Sequence, residues 1–144
     1  MLFFKSKKPK LAPVCMLPIM GMNYYASDIE KIGTPLRGYN LSPSDMAKRP
    51  LKDNYKYWFD CSNAQLVPDL QNKVDKNAIK VVVNGVRIGF VPADSTALVR
   101  QYMAVPHSLS VNIYGGHFRT WVPGFGRIVD SFKQYSGEII IQLQ

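Results

Sequence analysis

The clearest secondary-structure pattern in the chain is NKVDKNAIKVVVNGVRIGFVP, at residues 72–92. Its β-branched run at 78–83 alternates along the chain with the period of a strand that has one buried face. Asn84-Gly85 follows at once, and this dipeptide tolerates the positive φ angles of a two-residue hairpin turn. The pattern therefore predicts a β-hairpin whose return strand covers 86–91.

A helix is predicted directly after this hairpin. Pro92 ends the return strand, and residues 93–103 have a helical pattern, with Asp94 near the positively polarised helix N-terminus. The side chains expected on the buried face of the helix are Leu98, Tyr102 and Val99.

Further short strands are predicted on both sides of this unit, at 14–20, 57–59, 65–67, 108–114, 118–122 and 138–143. Gly115-Gly116 is expected to end the strand at 108–114. Residues 22–32 predict a strand end that passes into a short helix, with Ser27 and Glu30 at the spacing of a capping box.

Five to seven short strands with one firm helix indicate a mainly β fold with one or two α-helices, arranged as a small, partly open barrel. We expect a basic, flexible tail at residues 1–13 and a single domain at 14–144. Residues 33–56 hold several prolines and glycines, which predicts a loop-rich insert with at best a helical turn starting at Ser44.

The net charge of +8 is unevenly distributed. Residues 1–10 carry four lysines and no acid, and residues 31–56 carry six basic residues against two acids. Excess positive charge attracts anionic partners, above all nucleic acid, and it also keeps proteins soluble. Charge alone leaves both interpretations open.

The sequence contains no constellation that predicts catalysis. Its acids are scattered, and no nucleophile elbow, Walker loop or zinc-protease helix is present. His107 and His117 have no third metal ligand nearby. Cys15 and Cys61 are expected to be reduced thiols. We therefore expect a protein that is not an enzyme and has no cofactor or metal.

The N-terminus resembles an export signal only in part. Lysines up to Lys10 precede the apolar stretch 11–22, but two prolines interrupt that stretch. No apolar run approaches the ~18 residues needed to span a membrane. We expect a cytoplasmic protein, associated with the nucleoid if it binds DNA.

The segment 72–92 resembles the HIRAN domain family. That family has an asparagine–proline–aromatic–aspartate–x–asparagine–alanine–isoleucine run, then a hairpin and a glycine–aromatic–valine–proline step into a helix. This chain has Asn72, Asp75, 77–79 and 89–92 in the corresponding order. Residues 21–25 are similar to the family's upstream glycine and paired tyrosines.

The resemblance implies a small β-barrel with helices, similar to an OB fold. Such domains occur alone in bacteria and phages, and fused to remodelling helicases in eukaryotes, where the domain binds single-stranded DNA and captures its free 3′ end. By this resemblance, Tyr24 and Tyr25 stack on or flank the terminal bases. Asn72 and Asp75 line the pocket, and the carboxylate accepts a hydrogen bond from the terminal 3′-hydroxyl.

Five residues depart from the DNA-binding pattern. Asn23 stands in place of an arginine before the tyrosine pair, and Lys73-Val74 replaces a proline–aromatic pair. Phe90 replaces a polar residue, and Ala93 replaces a lysine. These departures favour an alternative function, a protein-interaction or accessory domain that keeps the barrel without binding DNA ends. Its partner would be a protein such as a nuclease or helicase.

A second candidate group mixes aromatic and basic side chains in a way that suits single strands, namely Tyr55, Tyr57, Trp58 and Phe59 beside Lys52 and Lys56. Phe118 is a further candidate binding residue. The same group could instead form part of the core and its rim. Asp75 could likewise serve to turn the backbone before the hairpin. The leading interpretation is a nucleic-acid-binding module that prefers single-stranded DNA or DNA ends.

Overall fold

The computed structural model describes residues 10–48 and 52–144, and this part of the chain contains nine β-strands and three α-helices. The strands are β1 (Val14–Pro18), β2 (Gly33–Pro35), β3 (Asn54–Tyr55), β4 (Tyr57–Phe59), β5 (Ala64–Pro68), β6 (Ile79–Val83), β7 (Val86–Phe90), β8 (His107–Val122) and β9 (Arg127–Leu143). The helices are α1 (Ala26–Lys31), α2 (Pro43–Ala47) and α3 (Thr96–Met103), and short 3-10 helices cover Met22–Tyr25, Arg37–Asn40 and Ala93–Ser95. Residues 1–9 of the predicted tail lie outside the described part.

The strands form three antiparallel sheets that do not close into a complete barrel. Their strand orders are β1-β9-β8-β3, β5-β6-β7 and β2-β4. Side chains from the two larger sheets and α3 meet in one core, which includes Ile79, Val81, Ile88, Val99, Ile139 and Ile141. Burying an aliphatic side chain of this size contributes roughly 1.5–3 kcal/mol to folding. The predicted mainly β, partly open, OB-like architecture is confirmed.

The hairpin of β6 and β7 forms as the sequence predicts. Asn84 has a φ of 50° and Gly85 a φ of 78°, as a two-residue turn with two left-handed residues requires. The pairing shifts register between Val81 and Val82, so that Val81 lies opposite Gly89 and Val82 opposite Arg87. The return strand therefore carries a β-bulge, which the sequence pattern does not predict.

The strands predicted at 108–114, 118–122 and 138–143 are parts of only two long strands, β8 and β9. Gly115-Gly116 does not end a strand, contrary to the prediction. Both glycines have positive φ, +96° and +97°, and a bulge interrupts the pairing with β9 between Tyr114 and Gly116. The extra residue of this bulge is in β9, where residues 134 and 135 lie opposite Gly115, and the ladder continues on either side.

The helix after the hairpin is present, but its buried face differs from the prediction. Residues 93–95 form a 3-10 turn, and α3 buries Thr96, Val99 and Tyr102. Leu98 is 40% exposed, so its assignment to the buried face was wrong. The hydroxyl of Tyr102 donates to the carbonyl of Ala12 at 2.7 Å, which ties the helix to the residues before β1.

The segment around α1 also differs from its prediction. The 3-10 turn Met22–Tyr25 replaces the expected strand end, and α1 begins at Ala26 without a side-chain cap. Ser27 is therefore inside the helix, and the predicted capping box is absent. The Glu30 carboxylate instead accepts a hydrogen bond from the Tyr135 hydroxyl at 3.2 Å. Burial, followed by the charge of Glu30, raises the pKa of Tyr135.

The insert at 33–56 contains more regular structure than expected. Strand β2 pairs with β4, and β3 pairs with β8 at the outer edge of the large sheet. The predicted helical turn is α2, which starts one residue earlier than expected, after Ser42. The Ser42 hydroxyl caps it by accepting from the Asp45 amide at 3.3 Å. Two ends of the insert are thus joined to the barrel.

Candidate nucleic-acid interface

The tyrosine pair lies on a tight turn between β1 and α1. Gly21, with a φ of 77°, starts the turn, and the buried side chain of Met22 anchors it to the core. Tyr24 is 89% exposed. Tyr25 is partly buried, with its ring centroid 6.1 Å from that of Phe90. One ring is therefore anchored and the other is available to solvent.

Arg87 contacts Tyr25 of this pair, although the sequence pattern did not predict it as a site residue. Its guanidinium carbon lies 4.7 Å from the Tyr25 ring centroid and 5.7 Å from the Phe90 centroid. Strict strand alternation would place Arg87 and Phe90 on opposite faces of β7. The bulge in β7 breaks that alternation, and both side chains reach Tyr25. We call Tyr24, Tyr25, Arg87 and Phe90 the tyrosine surface.

Asn72 and Asp75 lie in the turn between β5 and β6, where their side chains shape the backbone. The Asn72 Oδ1 atom accepts from the amides of Val74 at 3.0 Å and Asp75 at 2.8 Å. The Asp75 Oδ1 atom accepts from the Asn77 amide at 2.9 Å. The expected turn-forming role of Asp75 is confirmed, and it occupies one of the two carboxylate oxygens.

The β6–β7 sheet links this turn to the tyrosine surface. Phe90 of β7 pairs with Lys80 of β6. The turn ends at Ala78, the residue before the start of β6 at Ile79. Among residues 10–48 and 52–144, no hydrogen bond or ring contact joins the tyrosines directly to Asn72 or Asp75. The hydrogen bonds and ring contacts of the described residues therefore do not bring the two predicted parts of the pocket together.

Part of the second candidate group lines a different concavity, an open cleft of about 540 Å³ between β4 and the glycine pair of β8. We call it the aromatic cleft and define it by the lining residues Leu36, Tyr55, Tyr57, Trp58, Tyr114 and Lys133. The sequence pattern predicted Tyr55, Tyr57 and Trp58 as candidates. It did not predict Tyr114 and Lys133, because Gly115-Gly116 was expected to end a strand.

Two further predicted residues, Lys56 and Phe118, lie beside the cleft. The Lys56 ammonium is 5.3 Å from the Tyr57 ring centroid and 5.8 Å from that of Tyr39. Phe118 packs against Tyr55 with ring centroids 5.3 Å apart, which makes it a support of the cleft wall. Lys52 is exposed and does not line the cleft.

Carboxylates near the cleft already have partners. The Glu138 Oε1 atom accepts from the Asn112 amide group at 3.0 Å and from the Tyr114 hydroxyl at 2.9 Å. That hydrogen bond raises the pKa of Tyr114. Asp130 forms an ion pair with Arg119 at 2.6 Å. The charged residue that lines the cleft itself is Lys133.

Neither a metal-binding cluster nor a membrane-spanning helix is found among the described residues. Within 10–48 and 52–144, no group of three or more histidines, cysteines or acids could hold a metal ion. Cys15 and Cys61 are both free thiols. No helix among these residues is long and apolar enough to cross a membrane.

One comparison with known proteins gives a family. The sequence model described as HIRAN domain matches residues 14–115, well over half of the chain. The match includes the tyrosine turn, the β6–β7 hairpin and α3, and it ends at the glycine pair of β8. No curated protein and no solved structure gives a significant match.

Proposed function

The chain belongs to the HIRAN domain family, and from this premise we propose that it binds single-stranded DNA or DNA ends at the tyrosine surface. HIRAN domains are nucleic-acid-binding modules that are not catalytic by themselves. The preference for single strands or ends and the residues that carry it are our proposal.

The observation that carries the proposal is the exposed ring of Tyr24 beside the anchored ring of Tyr25. Stacking of a base on an aromatic side chain is worth roughly 1–3 kcal/mol and needs no particular base, since every base has a π face. Paired bases inside a duplex do not offer that face, whereas single strands and frayed ends do. The surface thus favours unpaired nucleotides.

Arg87 supplies the positive charge that this surface needs. It is exposed and has no acidic partner among the described residues. Its position over Tyr25 lets the guanidinium bind a phosphate next to a stacked base. In this role Arg87 compensates for Asn23, which stands where the DNA-binding family pattern has arginine.

Asn72 and Asp75, in the turn before β6, are proposed to contribute to the reading of a strand end. The Asp75 carboxylate keeps an oxygen that the Asn77 amide does not use, and a carboxylate there accepts from a hydroxyl while repelling an internal phosphate. Because a strand end carries a free hydroxyl where an internal nucleotide carries a phosphate, this difference supports a preference for strand ends. The 14–144 domain, with its basic residues, would act without a cofactor.

Fluorescence anisotropy with a labelled oligonucleotide tests the proposal. We expect log affinity to fall linearly with log salt concentration as counterions are released. Tyr24→Ala should weaken binding by about tenfold through the loss of one stacking contact. Phe125→Ala is the matched control, because Phe125 is also a strongly exposed ring, at the tip of the β8–β9 hairpin. No binding at low salt would refute the proposal.

A second candidate function is a protein-interaction domain with a partner such as a nuclease or helicase. Val74 is 99% exposed, and the nearby Leu70 is also exposed, so the turn before β6 presents apolar side chains where the family pattern has an aromatic. If this candidate holds, Val74→Ser will abolish recovery of a specific partner and leave oligonucleotide binding unchanged.

A further inference from the structure

We propose that the aromatic cleft is a second nucleotide site, which takes one unpaired base of a single strand whose phosphates contact Lys133 and Lys56. The inference rests on the proposed binding of single strands and adds a site separate from the tyrosine surface. It assigns a role to the insert at 33–56, which supplies Leu36 and Tyr55 to the cleft.

Two half-exposed rings provide the stacking surfaces of this site. Trp58 is 56% exposed and Tyr114 is 51% exposed, and both line the cleft. Neither ring packs against another aromatic ring in the described part of the chain. Most other aromatic residues of this region have such partners, as Tyr57 has Phe59 and Tyr55 has Phe118. Trp58 and Tyr114 are therefore free to accept a base.

A bulge keeps Tyr114 at the cleft. Gly115 also lines the cleft, and a Cβ atom there would lie 2.5 Å from the Gln134 carbonyl oxygen. Only glycine fits this close approach with a φ of +96°. Bulges of this kind re-aim side chains, and they are frequent next to functional sites. The backbone at Gly115 is thus specialised next to the aromatic and polar residues that line the cleft.

Charge favours a nucleotide over a peptide as the occupant. An aromatic groove with tyrosine and tryptophan could also hold a proline-rich peptide. However, Lys133 lines the cleft and the Lys56 ammonium lies against Tyr57 at its edge, while no carboxylate is among the lining residues. Glu138, the nearest acid to Tyr114, is held by two hydrogen bonds. This arrangement suits an anionic ligand.

The size of the cleft is compatible with this occupant. Its volume of about 540 Å³ lies within the roughly 300–1,000 Å³ that small-molecule sites occupy. The cleft is open to solvent, so a strand can enter and leave along it without threading.

Tryptophan fluorescence tests the second site directly. The chain has two tryptophans, so Trp121→Phe leaves Trp58 as the single reporter. We titrate this variant with an oligothymidylate of about eight nucleotides and with an abasic oligonucleotide of equal length, and follow binding in parallel by anisotropy. Trp58→Phe, which leaves Trp121 as the reporter, is the matched control, and circular dichroism checks that both variants are folded.

The expected result is saturable quenching of Trp58 by oligothymidylate and none by the abasic strand, with no quenching in the Trp58→Phe control. Trp58→Ala should weaken binding by about tenfold. Adding Tyr24→Ala to the reporter variant should weaken affinity yet preserve quenching at saturation, as two separate sites require.

Three outcomes would overturn the inference in distinguishable ways. Binding by anisotropy without quenching refutes the second site and leaves the proposed function intact. No binding of either oligonucleotide refutes both. Quenching by a proline-rich peptide and not by oligothymidylate refutes the nucleotide site and identifies the cleft as a peptide groove.

Discussion

Tyr24 and Tyr25 are adjacent in the chain but have opposite surroundings. Tyr25 contacts both Phe90 and the Arg87 guanidinium, while the side chain of Tyr24 is almost fully exposed to solvent. The anchored ring fixes the backbone of the turn and thereby the position of its free neighbour. Ligand binding at Tyr24 therefore starts from a preorganised position, which reduces the entropy lost on binding.

Arg87 gives a prediction at this scale. Arg87→Ala should weaken DNA binding and reduce the magnitude of the salt slope by about one, as loss of one phosphate contact requires. Arg87→Lys should restore the slope but only part of the affinity, because lysine lacks the planar group that stacks on Tyr25. Arg127→Ala is the matched control, since Arg127 lies over Phe125 in the same manner. Equal slope changes in both alanine variants would contradict the assignment.

Cys61 gives a second prediction. Burial, and then the negative charge of Asp60, raise the pKa of this thiol. Since the thiolate is the reactive form, Cys61 should react with a maleimide more slowly at pH 8 than a free cysteine does. Asp60→Asn removes one cause of the raised pKa and should speed the reaction at the same pH. Rates measured in a Cys15→Ala background across pH 7–10 test this, and an unchanged rate in Asp60→Asn would argue against it.

Single residues were predictable where their effect is local. The turn-forming role of Asp75 follows from side-chain chemistry within a few residues, and it is confirmed. Arg87 was not predictable, because it reaches Tyr25 only through a register shift in β7. Such a shift depends on pairing with β6, which alternation in a single strand does not reveal.

At the scale of elements, the glycine pair in β8 shows how two residues change the interpretation of a strand. A Gly-Gly pair is typical of turns that reverse the chain, so a strand end was predicted at Gly115-Gly116. In the structure β9 pairs with β8 on both sides of the pair, so the ladder holds the strand together across it. The helix after the hairpin was predictable, but its buried face was not, since packing against the sheets selects Thr96 over Leu98.

Gly115→Ala tests this bulge. The added Cβ would lie 2.5 Å from the Gln134 carbonyl oxygen in a residue with φ of +96°. We expect a loss of about 1–3 kcal/mol in the free energy of unfolding, measured by urea titration. Gly124→Ala, with no atom within 4 Å of the new Cβ, should leave the free energy nearly unchanged. Similar stability of both variants would show that the bulge is not required.

At the scale of the molecule, the family match covers fewer residues than the fold does. The match ends at residue 115, yet β9, which lies beyond it, pairs with β1 on one side and β8 on the other. Ile139 and Ile141 of β9 are completely buried. The sequence analysis placed a strand at 138–143, but nothing in the local pattern predicts that this strand is central to the sheet.

Removal of residues 116–144 should therefore prevent folding, although it leaves the family match intact. The truncated chain would lose both buried isoleucines, each of which is worth roughly 2–5 kcal/mol on truncation to alanine alone. We expect loss of the cooperative urea transition and of near-ultraviolet circular dichroism. A cooperative transition in the 1–115 fragment would contradict this expectation, and the full chain is the reference.

The position of β9 also bears on how the protein is made. Its partner β1 leaves the ribosome first among the strands described here, and the two strands can meet only when synthesis of β9 is complete. Contacts of such high sequence separation slow folding, because a long loop must close before they form. The nascent chain therefore carries β1 without its partner strand until β9 has left the ribosome, and the aromatic cleft, to which β9 contributes Lys133, cannot be complete before then.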